Sequence, residues 1–162
     1  MGLSLILLSR WTPKYIIREE LENISHQTTT ALKALIMKHG AKEVEAVEKE
    51  QPPPTSIQEQ RTALAKTQAR LVEILEATAG HEEAIRLGRE ALFSVGQDVG
   101  KQTRKKLGVS DSPKDLIRAA KILYRILGIE FHLEWLDNSS AKIIIDRCAL
   151  SEQYSKLTRG KP

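Results

Sequence analysis

The chain has 162 residues, 41% of them hydrophobic and 28% charged, which is enough apolar material for one folded core. Twenty-five Lys and Arg against 21 Asp and Glu give a net charge of +4. Both signs are interleaved, which points to a solvated surface and argues against a nucleic-acid footprint. Cys148 is the only cysteine, which excludes an intrachain disulfide and suits a cytoplasmic protein.

The chain opens on Leu3, Leu5, Ile6, Leu7 and Leu8. This run is too short to span a bilayer and lacks the flanks of a signal peptide, so it is expected to be an ordered strand or docking segment. Thr12-Pro13 reads as a cap and first-turn proline for a helix over residues 13–39, its apolar face set by Ile17, Leu21, Ile24, Thr28, Ala31, Leu32 and Leu35. Residues 41–50 fit a helix or a short strand. The run Pro52-Pro53-Pro54 is a stiff connector.

A second helix is predicted over residues 55–79, with Ile57, Leu64, Thr67, Leu71, Ile74 and Leu75 on its stripe and Gly80 at its end. A third follows over 82–107. It carries Gly88, Gly96 and Gly100 on one row that begins at Ala84. Each glycine inside a helix costs about 1 kcal/mol relative to alanine, so such a row implies a need for small side chains: close approach by another backbone, or space for a ligand. A fourth helix over 113–127 is capped by Ser112 and Pro113. Leu116, Ile117, Ala120, Leu123, Tyr124 and Leu127 are expected on its buried side.

The period then changes from helix to strand. Ile129, Phe131, Leu133 and Trp135 alternate with Glu130, His132 and Glu134, which predicts a strand over 129–136 with Phe131 and Trp135 on the core side. A second strand is predicted over 141–148. A three-residue loop, Asp137 to Ser139, sets Phe131 opposite Ile145, Leu133 opposite Ile143 and Glu134 opposite Lys142. Residues 151–157 read as a short helix and 158–162 as a loose tail, so residues 1–157 are expected to form a single α+β domain.

Chemistry-bearing residues are few. Cys148, His132 and Asp146 are the catalytic candidates, with His132 diagonal to Asp146. His132 and Cys148 are too far apart along the ladder for a direct dyad. The four histidines lack metal-ligand spacing, and no cofactor is expected. Lys101, Arg104, Lys105 and Lys106 form a basic helix end that suits the helix dipole. Gly88, Leu92, Gly96, Gly100, Phe131, Leu133 and Cys148 are the candidate ligand-binding residues, on the expectation that the glycine row faces the apolar side of the hairpin.

The run Gly88-Arg89-Glu90-Ala91-Leu92-Phe93, with Gly96 and Gly100 after it, resembles the glycine-containing helix of archaeal relatives of the 4-vinyl reductase (hydrocarbon-binding) domain. The run from Arg147-Cys148-Ala149-Leu150 to Ser155 is similar to the L-2-amino-thiazoline-4-carboxylate hydrolase-like proteins. The resemblance spans roughly residues 82–155. It implies helices packed on one face of a small antiparallel sheet, as in TRAPP transport-complex subunits and nitric-oxide sensors. It also implies binding of a small, often apolar molecule by a homodimer. Such relatives commonly continue into a further helix and strand where this chain stops, at Pro162. The leading expectation is therefore a small-molecule binding or sensing module. The alternatives are a hydrolase of a cyclic amidine and a ligand-free helical interaction subunit.

Overall fold

A computed structural model of the chain describes residues 2–39 and 53–158. The order is α1 (Gly2–Arg10), α2 (Lys14–Lys38), α3 (Ile57–Ala79), α4 (His81–Leu107), α5 (Pro113–Leu127), β1 (Ile129–Trp135), β2 (Ala141–Cys148) and α6 (Ala149–Thr158). The protein is an α+β fold, mostly helical, with one two-stranded antiparallel sheet. The ambiguous stretch at 41–50 and the last four residues lie outside the described residues.

The opening segment is a helix, not a strand. Leu5 and Leu8 are one turn apart, and both pack into the core, Leu5 with only 1% of its surface exposed. Nine residues are too few to hold a helix alone. Arg125 supplies the missing support: Nη1 donates to the Leu8 carbonyl at 3.1 Å and Nη2 to the Ser9 carbonyl at 3.1 Å. Thr12 was expected to cap α2, but Pro13 stands at that cap with no side-chain bond. The Thr12 hydroxyl turns back to α1 instead, donating to the Leu8 carbonyl at 2.9 Å and accepting from Arg125 at 2.9 Å.

Helices α2 and α3 run parallel. Arg18 near the start of α2 donates to the Thr55 carbonyl just before α3, at 2.9 Å. Ser56 and Glu59 form a capping box that starts α3. The chain then reverses at Gly80, whose φ of 85° suits only glycine, and α4 returns antiparallel to both. Lys106 reaches Glu20 at 2.7 Å, which ties the end of α4 to the start of α2. One core cluster, Leu32, Ile36, Leu71, Ile74, Leu75 and Ala84, fills this three-helix layer. The other centres on Leu5, Leu21, Ile24, Leu64, Val99, Ile122 and Ile126, where α1 and α5 close the bundle.

The hairpin has the expected register, with Phe131 opposite Ile145, Leu133 opposite Ile143 and Glu134 opposite Lys142. A bulge between Glu130 and Phe131 then leaves Asp146 as the extra residue, so Glu130 faces Arg147 and Ile129 faces Cys148. The sheet packs on α5 through Tyr124 and Phe131, whose rings meet edge to face at 5.0 Å. Trp135, expected on the core side, is 48% exposed; it is the last residue of β1.

Asp137 organises the turn. Its carboxylate accepts from the Ser139 and Ser140 amides, each at 2.7 Å, and from both serine hydroxyls. These donors, the Ser140 hydroxyl foremost, hold the Asp137 carboxyl far below the usual range. A depressed folded pKa means that its contribution is complete above the unfolded value of about 3.9 and is lost as pH falls through the folded one. Asp137 is therefore expected to stay ionised in acid after ordinary carboxylates have protonated, as read by carbon-13 titration. A midpoint in the ordinary range would contradict this turn geometry.

Candidate functional site

The candidate binding residues occupy three separate places. On α4, Gly88 is buried among the helices while Gly96 and Gly100 are exposed. Apart from the helix's own backbone, a methyl group at any of the three would meet no heavy atom within 4 Å. Among the described residues no other backbone approaches the row closely, so the glycines are not needed for packing against them. Leu92 packs against the three-helix core cluster. The row and the hairpin do not form a common wall, because the sheet lies on α5.

Phe131 and Leu133 line a cleft of about 480 Å³ between α1, α5 and β1. Five consecutive residues, Ile129 to Leu133, form one side, and Ser9, Lys121 and Arg125 form the other. The cleft follows the unpaired edge of β1, so backbone as well as side-chain groups face it. Arg125 is committed to the end of α1, as described above. Lys121 has no carboxylate partner among the described residues and leaves its ammonium available. His132 also lines this cleft, and its Nδ1 lies 2.9 Å from both carboxylate oxygens of Asp146. With Nδ1–H donating to Asp146, Nε2 is left as the free acceptor. Asp146 is the extra residue of the bulge and lies diagonal to His132 across the ladder.

Cys148 sits elsewhere. It lines a second cleft, of about 490 Å³, with Ile145, Asp146, Arg147, Ser151, Glu152 and Ser155. Arg147 there is bonded to Glu152 at 2.6 Å and paired with Glu130 at 3.4 Å. No histidine lines this cleft, so the thiol has no adjacent base of that kind. Asp146 lines this second cleft and reaches the first only through its bond to His132.

A third cleft, about 480 Å³, separates the parallel helices α2 and α3. Glu22, Ser25 and His26 face Gln60 and Thr67 across it, over a floor of Leu21 and Leu64. A smaller space of about 50 Å³ lies under Leu8, Ile24, Val99 and Ile122, too small for a ligand. The basic end of α4 is largely neutralised within the chain, as Lys101 pairs with Asp98, Arg104 with Asp111 and Lys106 with Glu20. Among the described residues, no group of three His, Cys, Asp or Glu is placed to hold a metal ion, and no helix is long and apolar enough to cross a membrane.

Sequence reasoning placed Phe131, Leu133 and His132 at a candidate site but missed Lys121 and Ser9. Lys121 lies on α5, one residue before the buried Ile122, where it reads as an ordinary surface lysine. Only the docking of β1 beside it makes it part of a cleft. No known protein family, curated protein or solved structure matches this chain.

Proposed function

We propose that the protein is a cytoplasmic small-molecule binding module whose ligand has an apolar body and an anionic group. The observation that carries this reading is the unpaired Lys121 in the same cleft as Phe131 and Leu133. Phe131 and Leu133 supply apolar surface, and Lys121 and His132 supply polar contacts. Ser9, Arg125 and Glu130 complete the lining, so polar groups outnumber apolar ones and the charge of Lys121 carries the selectivity. The edge amides of β1 add donors for a carboxylate.

The test is a set of small aromatic and aliphatic carboxylates and their neutral amides, followed by ligand-observed NMR on the full chain. Carboxylates are expected to bind better than their amides. Lys121→Ala is expected to weaken them by about 10- to 100-fold, the range for a charged hydrogen bond of about 1.5–3 kcal/mol, with little effect on the amides. Equal binding of acid and amide, unchanged in Lys121→Ala, would remove the basis for this reading.

The hydrolase alternative retains one supporting observation, the orientation of His132 by Asp146. Ring-opening of a cyclic amidine that disappears in His132→Ala would favour it over simple binding. Loss in Cys148→Ser instead would point to the second cleft, where Asp146 and Glu152 are the carboxylates at hand.

A further inference from the structure

Helix α4 presents a face that nothing among the described residues covers. At 100° per residue, Glu82, Ile85, Arg89, Phe93, Gly96, Gly100 and Arg104 fall on one side, away from the buried Ala84, Gly88 and Val99. Phe93 is 67% exposed and Ile85 is nearly half exposed. Ile85 and Phe93 thus form an exposed apolar stretch beside the bare backbone of Gly96 and Gly100.

The charge pattern selects the occupant. The first turn of α4 carries Glu82 and Glu83, and the last turn carries Arg104, Lys105 and Lys106. A second α4 laid antiparallel brings each acidic end beside a basic end and also opposes the helix dipoles favourably. A parallel arrangement sets like charges together. We propose that two copies of this chain pair through α4, antiparallel, about a two-fold axis midway between Phe93 and Gly96 along the helix. In this register Phe93 of each copy lies over Gly96 of the partner subunit, where the absence of a side chain leaves room for the ring. Gly100 gives the same freedom one turn on, against Arg89 of the partner subunit. A two-fold interface requires such self-complementarity, and the face has it in both shape and charge. Some of these charges already have partners: Glu83 bonds Arg86 at 2.6 Å, and Arg104 meets Asp111. Both pairs are exposed, so exchanging partners carries little desolvation cost.

The pairing accounts for glycines at exposed helical positions that return nothing within one chain. It shares no residue with the cleft lined by Lys121.

Sedimentation equilibrium on the full chain tests it. The wild type is expected to associate to a dimer. Phe93→Glu and Gly96→Leu are each expected to weaken association by about tenfold or more, the effect of losing a central aromatic anchor or filling its seat. Both residues are exposed in the single chain, so circular dichroism should report the same helix content in the variants. Arg104→Glu is expected to weaken the dimer, and Glu82→Arg in the same chain to restore it in part. A chain that stays monomeric at its highest soluble concentration overturns the proposal. So does a dimer whose affinity is indifferent to both Phe93→Glu and Gly96→Leu, since that pairs the copies through another surface.

Discussion

Gly128→Ala is expected to destabilise the protein by about 2–4 kcal/mol, far more than any exposed glycine of α4. Gly128 ends α5 in the left-handed region, at φ 72°. A residue with a Cβ costs roughly 1–2 kcal/mol there. The new methyl group would also stand 2.9 Å from Nε of Arg61 and 3.0 Å from its Cδ and Cζ. Arg61 cannot move aside freely. Its Nε donates to the Ile126 carbonyl at 3.0 Å and its Nη2 to the Arg125 carbonyl at 2.6 Å, which fastens α3 to the end of α5. Burial pushes the Arg61 guanidinium below its ordinary pKa, so these bonds are made in a partly desolvated setting. Hydrogen bonds to a charged group contribute about 1.5–3 kcal/mol, and displacing Arg61 forfeits part of that. Urea unfolding of Gly128→Ala, Arg61→Ala and the double variant gives the measurement. The double variant should lose much less than the sum, because once Arg61 is gone the methyl group meets no obstacle. Simple additivity would mean that the cost of Gly128→Ala is backbone strain alone.

This joint also marks where sequence reasoning stops. Gly128 is legible as a helix end, since a glycine after an amphipathic run is a common stop. Its dependence on Arg61 is not, because the two are far apart in sequence and Arg61 sits on a polar flank of α3. Arg125 is a similar case: it reads as a last-turn cation, yet its hydrogen bonds serve α1 at the other end of the chain. The hairpin register was readable because alternation and loop length agree only when Phe131 meets Ile145. The bulge was not, because side-chain period alone does not encode an extra residue. The opening apolar run docks as one of its readings has it, but its element type was open for a different reason: a short run of Leu and Ile fits helix or strand until its packing is known. The candidate site suffered most. Its residues come from α1, α5 and β1, and nothing local in the sequence announces that Ser9, Lys121 and Phe131 share a cleft. The glycine row was seen, but its exposure could not be.

Helix α5 offers the clearest contrast between pattern and packing, and so the second large effect. The sequence pattern favours Leu116 on the buried side, with Leu123 and Leu127. In the fold Leu116 is 49% exposed and Ile122 is 3% exposed, beside Ile126. The helix is covered on two sides, by the bundle core and by β1, so its apolar arc is wider than one stripe. Ile122 and Ile126 point to the bundle, while Tyr124 points to Phe131. A reading that assigns a single buried face merges the two sides and rotates the helix. Ile122→Ala is therefore expected to cost about 2–5 kcal/mol, the range for a truncated core aliphatic with a cavity left behind. Leu116→Ala should change stability by no more than about 0.5 kcal/mol, since an exposed leucine has little contact to lose. Thermal and urea unfolding of the two variants, with the m-value held as a check that the unfolding transition is unchanged, separates the orientations directly. If Leu116→Ala proves the costlier of the two, α5 is turned toward the core by its other edge, and the cleft built from Lys121 and Phe131 turns with it.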